Sequence, residues 1–275
     1  MKIEQKKFKF FLTILVFLGG ISVLYAAPTR IMPLGDSITF DAKYDDPRSD
    51  SERTGYRSHL YYKLVEAKYE VNFVGSQIAG EAITPPFDPD NEGHPSWTSF
   101  DIAELAYTFM SQSNPDIVLL HIGTNDLTST TPWGVDSTLN EIDYYERKTG
   151  RVVQVIVALI IDRQIHDGRI ASFNSRLKET LEQRIIDGDN IIMVDMYSGA
   201  GLTSEDYADN THPNDAGYSK MADVWFNALM QPYTPALYAF PSSIVDSSYI
   251  QSQTVDEAAQ SVTFITEVPD TGINF

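Results

Sequence analysis

Pro115-Asp-Ile-Val-Leu-Leu-His-Ile-Gly-Thr-Asn-Asp126 is the stretch that decides the fold. Ile117 to Ile122 is a continuous apolar run with no polar alternation, and turn-forming residues follow it. Such a run reads as a strand buried on both faces. The pattern recurs on either side. Ile31-Met-Pro-Leu34 ends at Gly35, and Val71-Asn-Phe-Val74 is closed by Gly75. Val152 to Ile161 is the longest β-branched run, and Ile191-Ile-Met-Val194 is a fifth strand. Helical spacing fills the intervals. Leu60, Tyr61, Leu64 and Val65 predict a helix over 56–68. Ile102, Leu105, Ala106, Phe109 and Met110 predict a second, ended before Pro115. Leu139, Ile142 and Tyr145 predict a third, before Gly150. Ile170, Phe173, Leu177, Leu181 and Ile185 mark a fourth, and Tyr218, Met221, Ala222, Trp225 and Leu229 the last. Five buried strands alternating with helices predict an α/β fold with a parallel sheet covered on both faces. Ligands of such sheets bind in the crevice at the C-terminal ends of the strands.

Polar residues gather at those ends. Gly35-Asp-Ser-Ile-Thr39 follows the first strand, Gly75-Ser76 the second and Gly123-Thr-Asn-Asp126 the third. Asp209-Asn-Thr-His-Pro213 lies between the fifth strand and the last helix. This is the composition acyl transfer needs. A serine hydroxyl is a weak nucleophile until a base takes its proton. A histidine does so near neutral pH when a carboxylate holds its tautomer. Ser37, directly after a strand, is the candidate nucleophile. His212 is the candidate base, and Asp209, three residues before it, the candidate orienting group. The developing oxyanion needs donors. The candidates are the N–H groups of Ser37 and Gly75 and the side-chain amide of Asn125.

The set Ser37 in Gly-Asp-Ser, Gly75, Asn125 in Gly-Thr-Asn-Asp and His212 in Asp-x-x-His resembles the SGNH hydrolase superfamily, or GDSL-type esterases. The resemblance implies a three-layer α/β/α sandwich around a flavodoxin-like, five-stranded parallel sheet. It implies Ser37 as nucleophile, His212 as base, Asp209 as its partner, and Ser37, Gly75 and Asn125 as the oxyanion hole. Arg30 to Thr39, Gly55-Tyr-Arg57, Asn72 to Ser76, Gly93-His-Pro-Ser-Trp97, Pro115 to Leu127 and His212 to Tyr218 look like carbohydrate esterase family 3, a group of secreted acetyl xylan esterases. The resemblance covers about 30–230. Two positions depart from it: Asp41 and Ser96 stand where the family has glycine.

Other residues have plainer readings. Ser37 alone could be a helix N-cap, Asp209 a turn former and Gly75 a turn residue. Their occurrence together favours the catalytic reading. Asp36 reads as ordering the nucleophile loop, and His121, inside an apolar strand, as a core histidine. His94 and Trp97 are candidates for a substrate-facing loop, and Arg57 for a loop anchor through a carboxylate. Asp41, Asp45, Asp46, Asp50 and Glu52 form one acidic loop, and Asp88, Asp90 and Glu92 another. Calcium favours such oxygen ligands, but neither loop has the EF-hand pattern, so solvated loops are expected. No metal ligand set is assigned and no cofactor is required. The Walker, dinucleotide, His-Glu-x-x-His and Gly-x-Ser-x-Gly motifs are missing.

The chain has 275 residues and no cysteine, so disulfides and thiol chemistry are excluded. A formal net charge of −18 argues against nucleic acid and anionic membranes as partners. Lys2, Lys6, Lys7 and Lys9 precede a short apolar run ending at Tyr25-Ala-Ala27. Residues 1–26 thus read as a signal peptide, making the protein secreted or periplasmic and free of membrane once processed. Residues 27–234 form the catalytic domain. No Lys or Arg follows Lys220, and Pro and Ser recur from Pro232. Residues 235–275 therefore read as an extension or linker, with strand fragments at Ile244-Val245 and Val262 to Ile265. The expected function is removal of acetyl groups from a plant polysaccharide or oligosaccharide, xylan first. Rival readings are a lipase, thioesterase or lysophospholipase of the same superfamily, and a catalytically silent carbohydrate-binding module.

Overall fold

The structure is a computed structural model, and it describes residues 27–231, 252–256 and 261–265. Strand β1 (Thr29–Gly35) leads into a one-turn helix α1 (Ser37–Phe40), then α2 (Gly55–Glu66), β2 (Val71–Phe73), β3 (Gln77–Ile78) and β4 (Asp90–Gly93). Helix α3 (Ser99–Ser113), β5 (Ile117–His121), α4 (Trp133–Thr149), β6 (Gln154–Leu159), α5 (Gly168–Asp187), β7 (Ile191–Asp195), a short α6 (Met196–Gly199) and α7 (Asp215–Met230) follow. Strands β8 (Ser252–Asp256) and β9 (Ser261–Ile265) form a separate antiparallel pair. The second of these matches the strand expected from Val262. The Ile244-Val245 fragment and residues 1–26 lie outside the described residues.

The sheet runs β3-β4-β1-β5-β6-β7, with β2 also on β1. The five expected strands are present and parallel. Their alternation explains the continuous apolar runs. Val118 and Leu120 of β5 enter one core with α3, α4 and α5, while Leu119 enters the other with α2 and α7. Val155 and Val157 of β6 divide from Ile156 and Ala158 in the same way. Neither face sees water, so no position needs a polar residue. Leu119 and Leu120 are fully buried, and truncating either to Ala would cost about 2–5 kcal/mol. Helices thus cover both faces, which is the expected three-layer sandwich. No helix among the described residues is long and apolar enough to cross a membrane.

One feature of the sheet differs from the sequence reading. Two strands share the outer edge of β1. β2 pairs with its first half, Thr29 to Ile31, and β4 with its end, Leu34 and Gly35. β4 is Asp-Asn-Glu-Gly, within the segment expected to be a solvated acidic loop. Asn91 and Glu92 are instead fully buried and hydrogen-bonded. Glu92 accepts from the Ser76 N–H (2.7 Å) and hydroxyl (2.6 Å) and pairs with His94 Nε2 (2.7 Å). Asn91 Oδ1 accepts from the Gly93 N–H at 2.9 Å. Asp88 accepts from the Phe73 N–H at 2.8 Å. The other acidic loop is also tied down. Asp41 takes a bidentate pair from Arg48 (2.8 and 3.0 Å), and Asp46 closes on Arg48 (2.6 Å) and Arg53 (3.1 Å). Among the described residues no group of three or more acidic or histidine side chains is arranged to hold a metal.

Candidate active site

The crevice forms where the chain leaves β1. Gly35 pairs with His121 across the sheet, and a Cβ on Gly35 would stand 2.3 Å from the His121 carbonyl oxygen. Only glycine lets the strand end this close to its neighbour. Asp36 then caps α1, its Oδ1 accepting the Ile38 N–H at 2.9 Å. Ser37 is thereby the first residue of a helix set directly on a strand end. Burial pushes the Asp36 carboxyl up to about 7, against the lowering effect of the Ile38 N–H.

His212 comes from a tight turn between α6 and α7. The Thr211 and His212 N–H groups both donate to Asp209 Oδ1, at 2.7 and 2.8 Å. The Ala208 N–H donates to the His212 carbonyl at 2.9 Å. This turn brings Asp209 against the ring: Nδ1 lies 2.9 Å from Oδ2 and 3.1 Å from Oδ1. Burial alone would raise Asp209, but the two backbone N–H groups and the ring outweigh it and hold the carboxyl below its usual range. With Nδ1–H donating to Asp209, Nε2 is left as an acceptor. It faces the Ser37 hydroxyl at 2.9 Å. The cap of α7 is Asn214, not His212, so the imidazole is free of that duty.

Asn125 follows β5 and reaches the same crevice. Its Nδ2 donates to the Trp97 carbonyl at 2.8 Å, which fixes the plane of the amide and leaves the second N–H uncommitted by that bond. Next to it, Asp126 accepts from the Ser99 N–H (3.0 Å) and hydroxyl (2.9 Å), stitching this loop to the start of α3. Ser37, Asn125 and His212 line one cavity of about 350 Å³, together with Ser96, Lys43, Tyr44, Arg163 and Thr211.

Gly75 is not among the residues lining that cavity. A Cβ there would meet the Asn91 carbonyl oxygen at 2.0 Å, so this glycine lets β4 cross close to the end of β2. β4 takes the place beside the end of β1 and carries the chain into His94–Trp97. Ser96 therefore stands in the crevice instead, with φ +69°. Asp41, the other departure from the family pattern, has φ +71° and ends α1. Both positions are left-handed, which is the backbone reason glycine suits them.

His94 and Trp97, expected to face substrate, do not line the cavity. Their rings stack on each other at 4.0 Å, and His94 also stacks on Phe109 at 5.1 Å. Arg57 anchors loops as expected, but through carbonyls and not a carboxylate. Fully buried, it donates to Thr39, Ala79, Pro89 and Arg53 at 2.9–3.2 Å. His121 is a buried core residue that accepts the Ile161 N–H at 3.4 Å, and burial lowers it to about 4. The sequence reading passed over Arg163 and Tyr44. Arg163 lies in the turn after β6, the sheet edge already singled out, but no motif marks it.

A serine hydroxyl, an imidazole and a carboxylate stand in line at the C-terminal edge of an α/β/α sheet, an arrangement suited to carboxylic ester hydrolysis. The chain belongs to the GDSL-like lipase/acylhydrolase family, whose model matches residues 34–220. It is 28% identical over 234 residues to a multidomain esterase of Ruminococcus flavefaciens. That alignment takes in 74% of this chain and 29% of the relative, so the chain spans under a third of that protein. Among solved structures, it is similar to a family 3 carbohydrate esterase of Clostridium thermocellum, with TM-score 0.58 and 28% identity, covering 73% of this chain and 94% of that one. It is also similar to an acetyl esterase solved as a serine-to-alanine variant with an acetate ion, with TM-score 0.61 and 26% identity, covering 74% and 97%.

Proposed function

We propose that the protein is an exported serine esterase that removes acetyl groups from carbohydrate, with acetylated xylan the first candidate. The observation that carries this reading is the unbroken relay Ser37 Oγ, His212 Nε2, His212 Nδ1, Asp209, each link 2.9 Å. Ser37 attacks the acetyl carbonyl as its proton passes to Nε2. Asp209 stabilises the imidazolium. The oxyanion is received by the Ser37 N–H, the Asn125 amide and the Ser96 N–H, the last in the role expected of Gly75. His212 returns the proton to the departing sugar oxygen. Water then attacks the acetyl-serine, its proton goes to His212, and acetate leaves as Ser37 is reprotonated.

Three features support carbohydrate. The relatives include a carbohydrate esterase and an acetyl esterase. The cavity wall is rich in polar side chains. Tyr44, 89% exposed beside the cavity, offers an aromatic face for a sugar ring. The basic head and apolar run of residues 1–26 support export. The test is acetate release from acetylated xylan, mannan and pectin, run beside p-nitrophenyl esters of rising chain length. The reading expects activity on acetylated polysaccharide, a steep fall beyond acetyl, and none in Ser37→Ala. A preference for long acyl chains would overturn it in favour of a lipase.

A further inference from the structure

The chain carries 38 acidic against 20 basic residues, yet the cavity at Ser37 reverses that sign. Two cations, Lys43 and Arg163, line it, and no carboxylate does. Neither cation is fully consumed by a partner. Lys43 Nζ has Asp46 at 3.7 Å, but that carboxylate is already closed on Arg48 and Arg53 at 2.6 and 3.1 Å. Arg163 Nε lies 3.6 Å from Asp167, whose carboxylate is held at 2.5 Å by Arg169. Arg163 Nη1 donates to the Thr211 hydroxyl at 2.9 Å and Nη2 to the Thr124 carbonyl at 3.5 Å. A guanidinium has two N–H on each terminal nitrogen, so one on each remains beyond these bonds. Thr124 adjoins Asn125 and Thr211 adjoins His212, so the guanidinium spans the loops that carry the oxyanion donor and the base.

Cations concentrated in a concave site attract an anion against the field of an acidic surface. We infer that the cavity takes an acetylated saccharide bearing a carboxylate, such as a uronic acid, with Lys43 and Arg163 as the specificity residues that receive it. This rests on the esterase reading above and deepens it: Ser37 and His212 cleave the acetyl ester while the carboxylate, which does not react, orients the sugar.

The test uses the full chain and a matched pair of substrates, acetylated methyl glucuronide and acetylated methyl glucoside, which differ only in the carboxylate. The readout is the ratio of kcat/KM, acid over neutral. The expected ratio is about tenfold in favour of the acid at low salt, falling toward one as ionic strength rises. Lys43→Glu should bring the ratio to one or below, and Lys43→Arg should keep it. Arg163→Gln should lower it. Equal turnover of the two esters by the wild type, or a ratio unmoved in Lys43→Glu, overturns this inference while leaving the esterase intact. Hydrolysis of neither ester overturns both.

Discussion

Replacing Asn125 by Ala isolates one donor of the proposed oxyanion hole. In the structure one N–H of the amide is spent on the Trp97 carbonyl at 2.8 Å, so the substitution removes a single N–H aimed at the cavity. A donor of this kind contributes about 10²–10³ in kcat, or about 2.7–4 kcal/mol of transition-state stabilisation. The fold should lose little. Asn125 is exposed, and its bond to Trp97 is worth about 1 kcal/mol. The assay is steady-state hydrolysis of p-nitrophenyl acetate with kcat and KM resolved, together with a thermal melt. A fall in kcat of about 10²–10³ with KM nearly constant and a melting temperature close to wild type is expected. Asn125→Asp should be worse, because it replaces the N–H by a negative charge facing the oxyanion. A kcat within about threefold of wild type, or a change confined to KM, would refute the donor role.

Asp36 makes stability depend on pH. Its carboxyl is raised from 3.8 to about 7 in the fold. Between these values the native chain holds a proton the unfolded chain has released, so stability falls as pH rises through the window, by on the order of 4 kcal/mol in all. Asp36→Asn removes that slope: its melting temperature relative to wild type should climb from about pH 4 to about pH 8, and a flat difference would contradict the burial argument. Gly75→Ala places a methyl 2.0 Å from the Asn91 carbonyl oxygen and should cost about 1–3 kcal/mol in denaturant unfolding; an undisturbed midpoint would mean β4 does not press on this glycine. Arg57→Lys keeps the charge but cannot serve four carbonyls at once, so a loss of about 3 kcal/mol is expected by urea denaturation, and a loss below about 1 kcal/mol would contradict its anchoring role.

The fold was legible wherever burial on both faces forced an unbroken apolar run, as in β5 and β6. β4 was not legible, because its polar side chains are paid for by partners distant in sequence, Ser76 for Glu92 among them. Gly75 was assigned to the oxyanion hole from the close approach a glycine permits and from the family resemblance; Ser96, not Gly75, is among the residues lining the cavity. Ser96 was not legible as a cavity residue, because a serine conceals the left-handed backbone that a glycine would have announced. Ser37, Asn125 and His212 were readable because each sits beside a turn residue at the end of a strand or ahead of a helix. Lys43 and Arg163 belong to no motif, and only the folded loops bring them to the same wall.

The central claim is that His212 activates Ser37 for covalent chemistry. The direct measurement is intact-mass and peptide mapping after treatment with a fluorophosphonate. One adduct per chain, on Ser37, with labelling slowed strongly in His212→Ala, is the predicted result. An unlabelled chain that is folded by circular dichroism, or an adduct on another residue, would contradict it.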